Sequence, residues 1–437
     1  MAASSRSIRK ARPLRTARFP KMLACALSCL IALAICAGCS AAAPESAGSH
    51  GSPFADAISD AGSAPGEDGA GTAASEPEED PLIVQAREIV SGMTAEQKAA
   101  QLFVVTPEAI TGVDTATLAT EATRDALEAH PVGGLVYFQK NLVDAEQTRS
   151  MLEGTQTYAR EVSGIPIFLC VDEEGGTVSR IGGNPGFGVA NVGDMRGIGA
   201  TGDAALARST AADIGSYLRD LGFNVDFAPD ADIANNPASD TMALRSFGST
   251  AAEVSPMVKA QVEGFLSVDM LCAAKHFPGI GGAEGDSHEG SIYSSKTVDE
   301  MAREELLPFQ AAMEADVPFV MVGHLSTPQA TGDDLPASVS PAIVDDLLRD
   351  RLGYDGIVIT DSLSMGAVSE RYAPYDVAVA ALEAGVDMVL MPADFPAAYQ
   401  GVLDAMASGR LSEDRIDESL ERIVRAKLAW EDGSSAA

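Results

Sequence analysis

Four apolar runs of this chain end in residues that can move protons or attack electrophiles. Val171 leads into Asp172-Glu173-Glu174-Gly175-Gly176, and Ala274 leads into Lys275-His276-Phe277-Pro278-Gly279. Val322 leads into Gly323-His324, and Ile359-Thr360 leads into Asp361-Ser362. A further group, Asp286-Ser287-His288, lies in the stretch 280–295, which is rich in glycine and small polar residues and is expected to be a loop. Acids, a lysine and imidazoles that converge make a polar pocket for a hydroxyl-rich ligand, because each buried hydroxyl needs a partner. An imidazole that donates a proton near neutral pH needs an orienting, charge-balancing neighbour, and Asp286 stands two residues before His288.

Those residues must be positioned by the runs that precede them. Strands are predicted at 101–106, 134–138, 167–173, 224–229, 271–276, 319–324, 356–361 and 387–391. Helical patterns alternate with them, including 203–221, 251–268, 297–315 and 341–351, and 415–430 closes the chain. Strands alternating with helices argue for a parallel sheet. Eight such units fit a closed (β/α)8 barrel, an α/β fold of the TIM type, as a single catalytic domain over 81–432. The structural alternative is an open doubly wound sheet, but no dinucleotide-type glycine fingerprint opens the first βα turn. In a barrel the polar strand ends converge on the carboxyl-end mouth, where active sites lie.

The chain has 437 residues and a hydrophobic fraction of 46%, with only 5% aromatics, so its core must be mostly aliphatic. The formal charge is −33 although Arg6, Arg9, Lys10, Arg12, Arg15, Arg18 and Lys21 make the N-terminus basic. The remainder is therefore more acidic still, and it repels phosphate backbones, which argues against nucleic acid as a partner. The basic segment precedes a 16-residue apolar run, Met22 to Ala37, short for a bilayer span. The run ends in Ile35-Cys36-Ala37-Gly38-Cys39, which resembles the cleavage box of bacterial lipoproteins, with Cys36 where that pattern prefers leucine. The resemblance implies a signal peptide over 1–38, lipid on Cys39, and a secreted protein anchored to the bacterial cell membrane, facing outside or the periplasm. An ordinary cleaved signal or an uncleaved anchor is the alternative. Residues 39–80 hold almost no large apolar side chain, and a disordered tether is expected there. Cys170 and Cys272 sit in apolar runs and read as buried small hydrophobes, not as a disulfide framework. No cysteine or histidine cluster has zinc-ligand spacing, so neither a metal nor a cofactor is expected.

Lys275-His276-Phe277-Pro278-Gly279, then Asp286-Ser287-His288, then Ile359-Thr360-Asp361-Ser362-Leu363-Ser364-Met365 resemble glycoside hydrolase family 3. The likeness is closest to its single-domain bacterial β-N-acetylglucosaminidases and runs from about Leu82 to Trp430. The resemblance implies that Asp361 is the nucleophile of a retaining mechanism and that His288, paired with Asp286, is the acid/base in place of the usual second carboxyl group. It implies substrate contacts from Asp172, Arg180, Arg245, Lys275 and His276. His324 ends the sixth strand at the same mouth, and a direct role or a packed one is open to it. Ile280 replaces a family histidine within Pro-Gly-His-Gly, and Thr177 replaces a frequent arginine.

The implied activity is exo-hydrolysis of terminal β-linked N-acetylglucosamine from cell-wall muropeptides or other glycans. A β-glucosidase-like specificity is one alternative. The Asp-Ser-His loop speaks against it, since glucosidase members take their acid/base from a further domain, and none is expected after Trp430. Phosphorolysis is another, since a neutral histidine repels incoming phosphate less than a carboxylate. A reading from a different class is a catalytically silent, sugar-binding surface lipoprotein. Trp430 is the only tryptophan and lies in the closing helix, so any aromatic platform for sugar must come from Phe or Tyr. Oligomeric state is left open.

Overall fold

The structure is a computed structural model that describes residues 79–237, 242–283, 287 and 290–433. The expected signal peptide, Cys39 and all but the last two residues of the expected tether lie outside the described residues, as do Asp286 and His288.

Eight strands form the barrel: β1 Phe103–Val105, β2 Gly134–Val136, β3 Phe168–Val171, β4 Val225–Asp226, β5 Leu271–Phe277, β6 Phe319–Val322, β7 Ile357–Thr360 and β8 Val389–Leu390. Each pairs in parallel with its sequence neighbours, and β8 also pairs with β1. A bridge between Ile359 and Met388 joins β7 to β8 and closes the ring. All eight strands fall where the apolar runs predict them. The runs are apolar at successive positions because a barrel strand is covered on both faces, by the interior and by the helical layer.

Alternation along the strands decides which side chains enter the barrel. The rings of Phe168 on β3 and Phe319 on β6 lie 5.2 Å apart, although these strands are not neighbours, so both point inward. Two-residue steps from Phe168 lead to Cys170 and then Asp172. Ile357 is in register with Phe319 and Ile359 with Met321, so the next inward position of β7 is Asp361. Lys275 is in register with Met321 and faces inward too. Three polar residues of the sequence analysis thus point into the barrel at its carboxyl end.

The helices carry the stop and start signals expected of them. Asp144 caps Ala145–Ser163, Asp203 caps Ala204–Leu221 and Thr250 caps Ala251–Leu266, each accepting a backbone N–H of the first turn. Gly164 and Gly222 follow the first two with φ of 75° and 103°. The segment 297–315, predicted as one helix, is two: Val298–Met301 and Leu307–Met313. Pro308 explains the break, since it has no N–H to continue the ladder and opens the second helix instead. The predicted 341–351 helix is present as Ala342–Arg351, wound as a wider π-helix, and the closing helix is Glu413–Glu431. A short parallel pair, Ile292–Tyr293 with Leu325–Ser326, lies beyond the barrel strands. Among the described residues no helix is long and apolar enough to cross a membrane. Cys170 and Cys272 are both buried and unbridged.

Candidate active site

The loop after β3 is shaped by one fully buried acid. Glu173 accepts hydrogen bonds from the Ser179 hydroxyl at 2.6 Å, from the backbone N–H of Arg180, Ile181 and Gly182 at 2.5, 2.9 and 2.8 Å, and from the Tyr217 hydroxyl at 2.8 Å. The turn back toward Glu173 needs Gly176, whose φ is 57° and whose absent Cβ would lie 2.2 Å from Asp194 Oδ1. Its neighbours on either side face the mouth. Lys275 Nζ is 2.8 Å from Asp172 Oδ1 and 2.7 Å from Glu174 Oε1. Arg245 grips Glu174 with two hydrogen bonds, Nε to Oε2 at 2.8 Å and Nη2 to Oε1 at 2.7 Å. Arg180 stands 3.9 Å from Asp172 Oδ2. Thr177 is exposed on the same loop.

Burial alone would raise the Glu174 carboxyl, but Arg245 and then Lys275 outweigh it and hold it well below the usual carboxylate range. Conversely, Asp172 and Glu174 hold Lys275 above its ordinary value against its burial. Glu174, Lys275 and Arg245 are therefore charged at neutral pH, and they compensate one another in a low-dielectric setting.

The loop after β4 supplies a second pair. Asp232, fully buried, accepts from His276 Nδ1 at 2.7 Å, from the His276 backbone N–H at 3.2 Å and from the Ile280 N–H at 2.6 Å. Desolvation would lower the His276 pKa, but Asp232 raises it. Asp232 thus orients the imidazole and fixes the start of the loop that leads to Asp286 and His288. Ile280 suits this place: its side chain packs on a small buried cluster of Ala283, Ile292 and Leu325. An aliphatic residue there anchors the loop base where the family pattern has a histidine.

Asp361 lies at the end of β7, partly exposed, its backbone N–H bonded to Val322 O at 2.8 Å and its Oδ1 accepting the Ser362 N–H at 2.7 Å. Burial pushes its carboxyl up, but His276, then His324 and the Ser362 N–H bring it below the ordinary aspartate value. An ionised carboxylate pointing up the barrel axis can attack an electrophilic carbon seated on the mouth. His324 is buried, with Nδ1 2.8 Å from Ser338 Oγ and Nε2 2.9 Å from the Ser362 carbonyl oxygen. It braces the turn that carries Asp361.

The structure therefore brings Asp172, Arg180, Arg245, Lys275 and His276 into one network around the mouth and turns Asp361 inward on the neighbouring side. The sequence reading missed Glu174, Asp232 and Asp230, which tie that network together. Their signal was present: Glu174 follows Asp172 in the same strand end, and Asp230 and Asp232 end the fourth strand as the other polar groups end theirs. Asp230, Asp232 and His276 bring ligand-type atoms within 4.8 Å of one another, an arrangement that can hold a cation. Here Asp232 and His276 bond to each other, and the Arg245 guanidinium stands 3.5 Å from both Asp230 Oδ2 and His276 Nε2. The cation of that cluster is the arginine. A cavity of about 690 Å³ opens at the opposite end of the barrel, against the strand-start residues Leu271, Pro318 and Ile357. That end of a barrel serves stability, and the chemistry belongs to the mouth.

The profile described as "Glycosyl hydrolase family 3 N terminal domain" matches residues 94–426. The chain belongs to glycosyl hydrolase family 3. Within the family, it is 32% identical over 337 residues to a protein named beta-hexosaminidase A of Pseudoalteromonas piscicida, covering 71% of this chain and 56% of that protein. It is 33% identical over 327 residues to beta-hexosaminidase LpqI of Mycobacterium tuberculosis, covering 71% and 81%. A solved structure of a family 3 beta-N-acetylglucosaminidase from Paenibacillus sp. superposes with a TM-score of 0.72 at 36% identity, covering 79% of this chain and 63% of that one. The family 3 chain thus spans a little over half of the first relative and most of the second.

Proposed function

We propose that this family 3 protein is a retaining, exo-acting β-N-acetylhexosaminidase that removes terminal β-linked N-acetylglucosamine from cell-wall muropeptides or other glycans. The observation that carries the reading is the inward, ionised Asp361 beside a ring of buried, mutually compensated hydrogen-bonding groups, in a chain whose named relatives are hexosaminidases.

In this mechanism the sugar sits on Asp172, Lys275, Arg245 and His276, with Arg180 at the edge. Asp172 accepts from hydroxyls, and the cations donate to them. The Asp361 carboxylate attacks the anomeric carbon as the glycosidic C–O bond breaks, and His288 donates its proton to the leaving oxygen. A covalent glycosyl–Asp361 ester results. His288 then takes a proton from water, whose oxygen attacks the same carbon and frees Asp361. Asp286 orients the imidazole and balances its charge. One described contact supports this loop assignment. Ser287, between Asp286 and His288 in sequence, accepts the Ala367 N–H through its carbonyl at 3.1 Å, and Ala367 closely follows Asp361 in the chain. Water as the acceptor is supported by the pairing of Lys275, Arg245 and Arg180 with carboxylates, which leaves an incoming phosphate to compete with them.

Hydrolysis of an aryl β-N-acetylglucosaminide tests the reading. Asp361→Ala is expected to lower kcat/KM by about 1,000-fold or more. His288→Ala is expected to lower it by about 100-fold, since a good aryl leaving group needs less proton donation. A slow fluorosugar substrate should leave its mass on the peptide that contains Asp361. Wild-type rates in either variant remove that residue from the mechanism, and faster turnover of the aryl β-glucoside or a strict need for phosphate redirects the specificity. We also propose that the protein is exported and held on the membrane by lipid on Cys39, as the leader pattern suggests. Cys39→Ser should then release it into the soluble fraction.

A further inference from the structure

Asp230 is a buried acid of the site whose place the proposed chemistry leaves unexplained. Its backbone is pinned to β5: it bridges Lys275, the Lys275 N–H bonds Pro229 O at 3.1 Å, and the Ala231 N–H bonds Lys275 O at 2.6 Å. Its side chain is fully buried. Oδ1 accepts the Asp232 N–H at 2.9 Å, while Oδ2 makes no hydrogen bond and lies 3.5 Å from Arg245 Nε. A buried carboxylate oxygen without a hydrogen bond is costly unless another state of the site satisfies it. Among the described residues its cationic partner is Arg245, which spends Nε–H and one Nη2–H on Glu174 and points Nη2 at His276 Nε2. A guanidinium with five N–H groups between two acids can rest on one and turn toward the other.

We propose that Asp230 is a positioning residue that acts as the second carboxylate for Arg245, receiving its Nε–H when a sugar engages the guanidinium. The proposal rests on the functional reading above, in which Arg245 contacts the sugar. Because the Asp230 backbone is locked, Arg245 is the partner that moves. The pull depends on the charge of Asp230, and that charge is poised. Burial, then Asp232, raise its carboxyl to about 7, against Arg245, with Glu174 and His276 as the remaining charged or titratable neighbours. Below that value Asp230 is neutral and Arg245 stays on Glu174. A ligand that draws Arg245 onto Asp230 favours the ionised form, so binding near pH 7 must expel a proton.

Asp230→Asn keeps the acceptor for the Asp232 N–H and removes the charge. Its KM for the aryl β-N-acetylglucosaminide is expected to rise about 10-fold with kcat changed by about 2-fold or less, the value of one charge-assisted hydrogen bond. Wild-type KM should rise as the pH falls below about 7, whereas that of Asp230→Asn should stay high and flat. Calorimetry of N-acetylglucosamine binding in buffers of different ionisation enthalpy reads the proton directly. Wild type should release up to about half a proton at pH 7 and Asp230→Asn none. The wild-type arm stands even if the variant does not fold. Matching KM profiles, or no proton release by a wild type that binds the sugar, overturn the proposal alone. A wild type that neither cleaves the aryl substrate nor binds the sugar overturns the functional reading with it.

Discussion

The two ends of this barrel put buried charge to different uses. At the mouth, Lys275, Arg245, Asp172 and Glu174 form an alternating network in which each ion touches an opposite one, and the whole faces a space where a polar ligand can sit. At the closed end the same burial serves only packing. Asp387, fully buried before β8, takes hydrogen bonds from Arg349, from Ser419 Oγ at 2.6 Å, from Arg422 at 3.3 Å and from the Val358 N–H at 2.8 Å. It fastens the closing helix to the strand starts. Nearby, Lys427 is buried with no carboxylate partner among the described residues. Its Nζ bonds Gln101 Oε1 at 2.7 Å and lies 5.0 Å from the centre of the Phe168 ring. Burial lowers its pKa to about 7. Charge at the mouth is kept and balanced, whereas the lone ammonium at the floor is pushed toward neutrality. The difference follows from partners, since Lys275 at the mouth is as buried as Lys427 at the floor yet sits between two carboxylates.

That contrast breaks most visibly at the acid in the middle of each network. Glu174→Gln leaves Lys275 and Arg245 short of a counter-charge, and the cost is expected to be about 3 kcal/mol of stability. Activity per folded molecule should fall as well, by about 100-fold, because both cations lose their aim. Asp387→Asn strands Arg349 and Arg422 and should cost a similar amount, about 3 kcal/mol, yet leave kcat/KM per folded molecule near the wild-type value. Urea unfolding and turnover measured on the same samples separate the two. If Asp387→Asn loses activity as Glu174→Gln does, the division between a reactive end and a structural end is wrong.

The barrel was legible in the sequence because each strand is an apolar run bounded by turn-forming residues, and because the polar residues recur at strand ends. Period-two alternation carries Asp172, Lys275 and Asp361 inward once the Phe168–Phe319 contact and the strand registers fix which face is the interior. Pairing was not legible. Asp172, Glu173 and Glu174 are consecutive acids, and nothing local says that the middle one builds the loop while its neighbours hold Lys275 and Arg245. Their partners are 71 to 103 residues away for Arg245 and Lys275, contacts that only the closed ring creates. The helix break at Pro308 was readable from the residue itself, whereas the fit of Ile280 became clear only once Ala283, Ile292 and Leu325 were seen to gather beneath it.

The smallest effect sharpens the floor side of the comparison. Lys427 binds a proton less readily in the folded protein, near pH 7, than in the unfolded chain, near pH 10.4. Between these values the unfolded state holds more protons than the native one, so stability from this group rises with pH. Above both values neither state is charged and no penalty remains. Below about 7 both are charged, and the penalty is complete and constant. Replacing Lys427 with methionine removes it, at the expense of the hydrogen bond to Gln101 and of the contact with the Phe168 face. The net gain is expected to be about 1 to 2 kcal/mol at pH 7, shrinking to zero or reversing near pH 10. Chemical unfolding of Lys427→Met and wild type at the two pH values measures the difference directly. A gain that is equal at both, or a loss at pH 7, means that the ammonium keeps its proton through a partner stronger than Gln101, and Lys427 is then balanced as Lys275 is.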